Sequence, residues 1–80
     1  MKFIELTLQN HIIVHGFDAR NKEITEEVTV KSPSKKMVAI DRILSLSEKY
    51  ILISYAYDRI IYWEYMEGYE NVKQLLLKYL

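Results

Sequence analysis

The stretch Tyr50-Ile51-Leu52-Ile53-Ser54-Tyr55-Ala56-Tyr57-Asp58-Arg59-Ile60-Ile61-Tyr62-Trp63-Glu64-Tyr65 decides the fold. Ile51, Ile53 and Tyr55 fall on one face of a strand, and Ile61, Trp63 and Tyr65 on one face of the next, by period-two alternation. Directly opposed residues of an antiparallel pair share a face, so the loop between the strands must have the parity that lets the two triplets meet. Pairing Tyr55 with Ile61 meets that condition and calls for an odd loop of three or five residues. A two-residue loop would oppose Tyr55 with Tyr62 and Ile53 with Glu64, burying a carboxylate at high cost. The Asn-Gly pair that favours two-residue turns is also absent. An antiparallel hairpin with an odd loop follows.

Beyond this hairpin, Gly68 breaks the strand and Tyr69 to Leu80 reads as a helix. Val72, Leu75, Leu76, Tyr79 and Leu80 make one apolar stripe, with Glu70 near the start and Lys78 near the end to suit the helix dipole. A helix this short needs packing to persist, and its expected dock is the Ile51/Ile53/Tyr55/Ile61/Trp63/Tyr65 face. Before the hairpin, Met37 to Leu46 reads as a strand whose apolar phase changes at Asp41-Arg42, as a bend or short helical turn there would produce. Lys31-Ser32-Pro33-Ser34-Lys35-Lys36 holds the single proline and is the expected loop. Ile24 to Lys31 alternates, with Glu26 on the apolar side, which suits an edge strand or a bulge. Lys2 to Leu8 and His11 to His15 read as two short strands interrupted at Gln9-Asn10, and Gly16 to Glu23 as a polar connection. The expected architecture is α+β: a mainly antiparallel sheet of four to six short strands with one carboxy-terminal amphipathic helix on one face, residues 1–80 forming a single domain.

Phe3-Ile4-Glu5-Leu6-Thr7, then Val38-Ala39-Ile40-Asp41-Arg42-Ile43, then Tyr50 through Leu80 follow an order that resembles the FlbD-like group of small bacterial proteins. In that group a strand ending in Leu-Thr precedes a Val-x-Ile-Asn/Asp-x-x-Ile segment, a hairpin and an amphipathic helix. This chain departs from the pattern by inserting roughly His11 to Lys36 and by lacking the hairpin's Asn-Gly. The resemblance implies the fold; the family is associated with flagellar gene clusters and has no established catalytic residues, so none is carried over.

Composition bounds the function. Half of the 80 residues are hydrophobic, enough for one modest core and too many for intrinsic disorder. Eleven basic residues balance eleven acidic ones, so no net field draws the chain to nucleic acid or anionic lipid, and weak self-repulsion permits self-association. With no cysteine, disulfides, thiolate nucleophiles and Cys-ligated zinc are out. The acid in Phe3-Ile4-Glu5-Leu6 and the lack of a long apolar run argue against a signal peptide or a membrane span, and a cytoplasmic location is expected.

No constellation satisfies a catalytic template. His11 and His15, on a strand, sit about 13 Å apart, too far to share a metal. Glu26 and Glu27 point to opposite faces and cannot share a proton. Two isolated glycines make no phosphate loop, and no serine has a recognisable base. A noncatalytic protein with no cofactor is expected. All seven tyrosines lie at or after Tyr50. Tyr55, Trp63, Tyr65, Tyr69 and Tyr79 are assigned to the core between hairpin and helix. Tyr57 at the hairpin tip and Tyr62 on the opposite face, beside Arg59, Ile60 and Leu52, have the composition of an interface hot spot, and Glu64 shares the face of Tyr62. Tyr57, Arg59, Tyr62 and Glu64 are the candidate binding residues. The expected activity is that of a small protein-binding module, an adaptor or inhibitor. One version is a phage- or mobile-element-type protein that blocks a larger host machine. The alternatives are a nucleic-acid-binding accessory protein using the Lys31/Lys35/Lys36 loop and a structural subunit that closes a homodimer.

Overall fold

The computed structural model describes residues 2–79. Its order is β1 (Phe3–Phe17), β2 (Glu23–Val28), β3 (Ser34–Ala39), a 3-10 turn (Ile40–Arg42), β4 (Ile43–Leu46), β5 (Tyr50–Tyr55), a second 3-10 turn (Ala56–Asp58), β6 (Arg59–Tyr65) and α1 (Tyr69–Leu77). All pairings are antiparallel, and the sheet runs β2-β1-β6-β5-β4, with β3 also on β1. This is the small α+β domain that the sequence predicts.

Parity governs the hairpin as expected, with a different register. Tyr55 opposes Arg59, Ile53 opposes Ile61 and Ile51 opposes Trp63, leaving the three-residue turn Ala56-Tyr57-Asp58. The five-residue loop that Tyr55 against Ile61 would need does not form, because each residue taken from it adds a rung to the ladder.

Two expected strands are one. Gln9-Asn10 does not end β1; the chain bulges there, the partner of β6 passing from Leu8 to His11. Trp63 Nε1 donates to the Gln9 carbonyl (3.1 Å) and Asn10 Oδ1 accepts from the Val30 amide (3.0 Å), so the bulge keeps its backbone partners. Leu8 lies opposite Tyr65 on one side and Ser34 on the other. β2 and β3 therefore follow one another along the same edge of β1, as the far arm of a long hairpin interrupted at residues 29–33. Within that interruption Lys31 and Pro33 remain a link, but Ser34, Lys35 and Lys36 belong to β3. Extended residues there gain ladder bonds to Leu8, Thr7 and Leu6 that a loop would forgo.

The turn at Ile40–Arg42, where the sequence changes phase, forces the sheet to curl. In a flat order β3-β1-β6-β5-β4 the outer strands would stand about 19 Å apart. Four Cα steps from Ala39 to Ile43 reach at most about 15 Å, less when the three residues between them wind as 3-10. The concave face then gathers Ile4, Leu6, Leu8, Val38, Ile51, Ile53 and Tyr65 into one buried cluster, which α1 closes with Val72, and with Leu75 and Leu76 at its border. Because α1 starts just after Tyr65, it reaches the Tyr65 end of the hairpin and leaves the other end open. Tyr55 and Tyr79, assigned to the core from sequence, are 44% and 41% exposed. Trp63 and Tyr69 are half-buried, and Leu80 lies outside the described residues. Among the described residues no helix is long and apolar enough to cross a membrane.

Candidate functional site

The face turned away from α1 carries a straight row. Glu27 opposes Ile12, Ile12 opposes Tyr62, Tyr62 opposes Leu52 and Leu52 opposes Ser45, so one line crosses β2, β1, β6, β5 and β4. Its neighbour runs Thr25, Val14, Ile60, Ser54. Strand alternation puts both rows outside, because Ile51, Ile53 and Ile61 take the inner positions. Ile12, Leu52, Ile60 and Tyr62 are half-buried there and Val14 is buried, on the face opposite the helix. Tyr50 extends the patch, its ring 6.0 Å from that of Tyr62 and tilted by 59°.

A cavity of about 170 Å³ opens at one end of this row, lined by Asn10, His11, Ile12, Glu27, Val28, Thr29, Tyr50 and Glu64. Tyr50 and Glu64 are opposed across β5 and β6. Lys49 Nζ lies 3.6 Å from Glu64 Oε2 and 5.2 Å from the Tyr50 ring centre. The Tyr50 hydroxyl first and the Glu64 carboxylate second hold the Lys49 ammonium above the ordinary lysine range. A second groove, about 220 Å³, lies at the seam where the curled sheet brings β3 near the end of β5, with Phe3, Arg42 and Trp63 around it.

The residues singled out from sequence separate into groups. Tyr57 stands at the turn, 89% exposed, with φ of 60°. The left-handed region is uncommon for a bulky residue, and Asp58 follows at 59°. Arg59 Cζ is 5.8 Å from the Tyr57 ring centre and has the inward parity of Ile61. Tyr62 and Glu64 belong to the outer face, so the turn pair and the outer pair do not converge. Lys35 and Lys36, as strand neighbours, point to opposite faces: Lys35 is 3.9 Å from Glu5, and Lys36 lies over the Trp63 ring at 4.6 Å. Lys31 is exposed in the link. The three lysines therefore do not form one patch.

His11 packs against Trp63, ring centres 4.7 Å apart, while His15 Nε2 meets Glu26 Oε1 at 2.8 Å across the edge strand. Among the described residues no three metal-ligating side chains converge. Sequence reading placed Leu52 and Ile60 beside Tyr62, as the structure does, and missed Ile12, Tyr50 and Glu27 as members of the same surface. Their signal was present in the parity of each strand, but joining them needs the register of four strand pairs.

No family model, curated protein or solved structure matches this chain. The functional reading rests on geometry.

Proposed function

We propose that this small α+β domain is a noncatalytic binding module, an adaptor or inhibitor, that engages another protein through the outer face of its sheet. The observation that carries the reading is the Ile12–Tyr62–Leu52 row, apolar, in register across three strands and free of the helix. Aromatic and aliphatic side chains held on a rigid sheet bury much area at small entropy cost. This chain exposes 5896 Å², about 800 Å² more than the roughly 5,100 Å² of a compact monomer of 9.6 kDa, an excess that belongs to the exposed end of β1 and β2. A cysteine-free chain suits the reducing interior of a cell, where we place this activity.

The test is capture of the partner from the native host, followed by binding measurements on variants. Tyr62→Ala should weaken association about thirtyfold, the 2 kcal/mol or more typical of an anchor, while the domain keeps its circular dichroism. Lys35→Ala combined with Lys36→Ala should leave association intact. If the lysine variant loses binding, and loses it most at low salt while Tyr62→Ala does not, the bound molecule is nucleic acid and the protein-binding reading is withdrawn.

A further inference from the structure

We propose that the cavity between Glu27, Tyr50 and Glu64 is the receptor for one arginine side chain of the partner protein. The inference rests on the protein-binding reading and names the chemistry of that partner: an apolar surface bearing an arginine at its margin. Three observations converge on it. The cavity opens on the outer face beside Ile12, so whatever covers the row also covers its mouth. Its lining includes two carboxylate residues from different strands, Glu27 of β2 and Glu64 of β6, together with Asn10, His11 and Tyr50. Its rim already holds a cation, since Lys49 approaches both Glu64 and the face of Tyr50.

That internal pair shows which charge the site accepts and leaves room for a second. Among the described residues no ion pair reaches Glu27. The Glu64 side chain is only 20% exposed while its lysine partner is 67% exposed, and an ion pair so open to solvent holds its lysine weakly. A lysine from the partner would repeat what Lys49 does. A guanidinium does more: its planar fork spreads donors toward carboxylates on two sides while its face lies on a tyrosine ring. An anion is excluded by the two carboxylates, and a purely apolar group would strand them without water.

The probe is N-acetyl-arginine amide, titrated into the isolated protein and followed by backbone amide NMR, with N-acetyl-citrulline amide as the isosteric neutral control. Saturable shifts should centre on Asn10, Glu27, Tyr50 and Glu64 with arginine and be absent with citrulline. Glu27→Gln and Glu64→Gln, both conservative at the surface, should each weaken the arginine effect about fivefold, the upper end for a solvent-reachable ion pair, and added salt should weaken it further. Shifts spread evenly over Glu5, Glu23 and Glu70, or undiminished in the double variant, overturn the proposal. The two readings fail separately. Arginine binding with partner capture indifferent to Tyr62→Ala removes the outer row as the protein interface and leaves the pocket. Capture that depends on Tyr62 with no response to arginine removes the pocket alone.

Discussion

At the scale of single residues, the tyrosines divide by where the sheet puts them, and Tyr65 is the one that the core claims. Its ring is buried in the cluster with Ile51 and Val72, and its hydroxyl donates to the Ser47 carbonyl in the link between β4 and β5. Burial pushes the Tyr65 hydroxyl above its ordinary value of 10.0, with the charges of Tyr69 and Glu48 adding to the effect. An unfolded chain therefore gives up this proton first as the solution becomes alkaline. The stabilisation is whole below about pH 10 and is lost as pH rises through the folded value. A spectroscopic titration of the native protein should show one tyrosine ionising after the others, and Tyr65→Phe should delete that late step. The same variant loses the Ser47 bond, at about 1 kcal/mol or roughly 4–8 °C of melting temperature in a domain this size. A late step that survives in Tyr65→Phe would assign the buried hydroxyl elsewhere. Tyr57 is the opposite case, an exposed ring on a left-handed backbone that no core contact requires.

At the scale of elements, the join between sheet and helix depends on Glu67. β6 ends at Tyr65, and the ladder continues only through the Met66 amide to the Thr7 carbonyl. The Thr7 amide would be orphaned there, but both carboxylate oxygens of Glu67 accept from it, at 3.0 and 2.8 Å. Gly68, with φ of 85°, then turns the chain into α1. Glu67→Ala should cost about 1–3 kcal/mol by leaving a partly buried donor unpaired, while Glu67→Gln, which keeps one acceptor, should cost less. Val72→Ala, emptying the one fully buried helix position, should cost roughly 2 kcal/mol. Denaturant melts rank them; if Glu67→Ala melts with the parent, water serves Thr7 equally well and Glu67 does not fasten the helix. Elements set by local pattern were legible in sequence: the hairpin parity, the break at Gly68, the phase change at Asp41-Arg42 and the edge position of the strand carrying Glu26. Those set by distant partners were not. The Gln9-Asn10 bulge is held by Trp63 and Val30, 54 and 20 residues away. The conversion of Lys35 and Lys36 from loop to strand likewise depends on Leu6 and Thr7 across the sheet. For the same reason the tyrosine side of the outer face was legible and its β1 and β2 side was not.

At the scale of the whole molecule, one side of the sheet is finished and the other is not. The curl and α1 close the inner face, whereas the end of β1 and nearly all of β2 project beyond the helix-covered core, exposed from Phe17 through Glu27. The radius of gyration, 13.2 Å, accordingly exceeds the roughly 11.6 Å of a compact chain of this length. Leu52, the middle of β5 and the last apolar member of the outer row, distinguishes the ways this face is used. Leu52→Glu places a carboxylate beside Tyr62 and Ser45. On a face free in the isolated protein, the charge stays hydrated and the change costs about 1 kcal/mol or less, whereas under a covering layer it would cost several. The proposed function requires the free face, so the parent and Leu52→Glu should both be monomers by light scattering and melt within about 8 °C of each other, and only the parent should bind the captured partner. A parent dimer that the substitution splits into folded monomers would assign the row to a second copy of this chain, making the protein a self-associating structural subunit. Outright unfolding would mean that the chain's own segments cover the row, and the binding surface would then have to be sought along the open edge of β2.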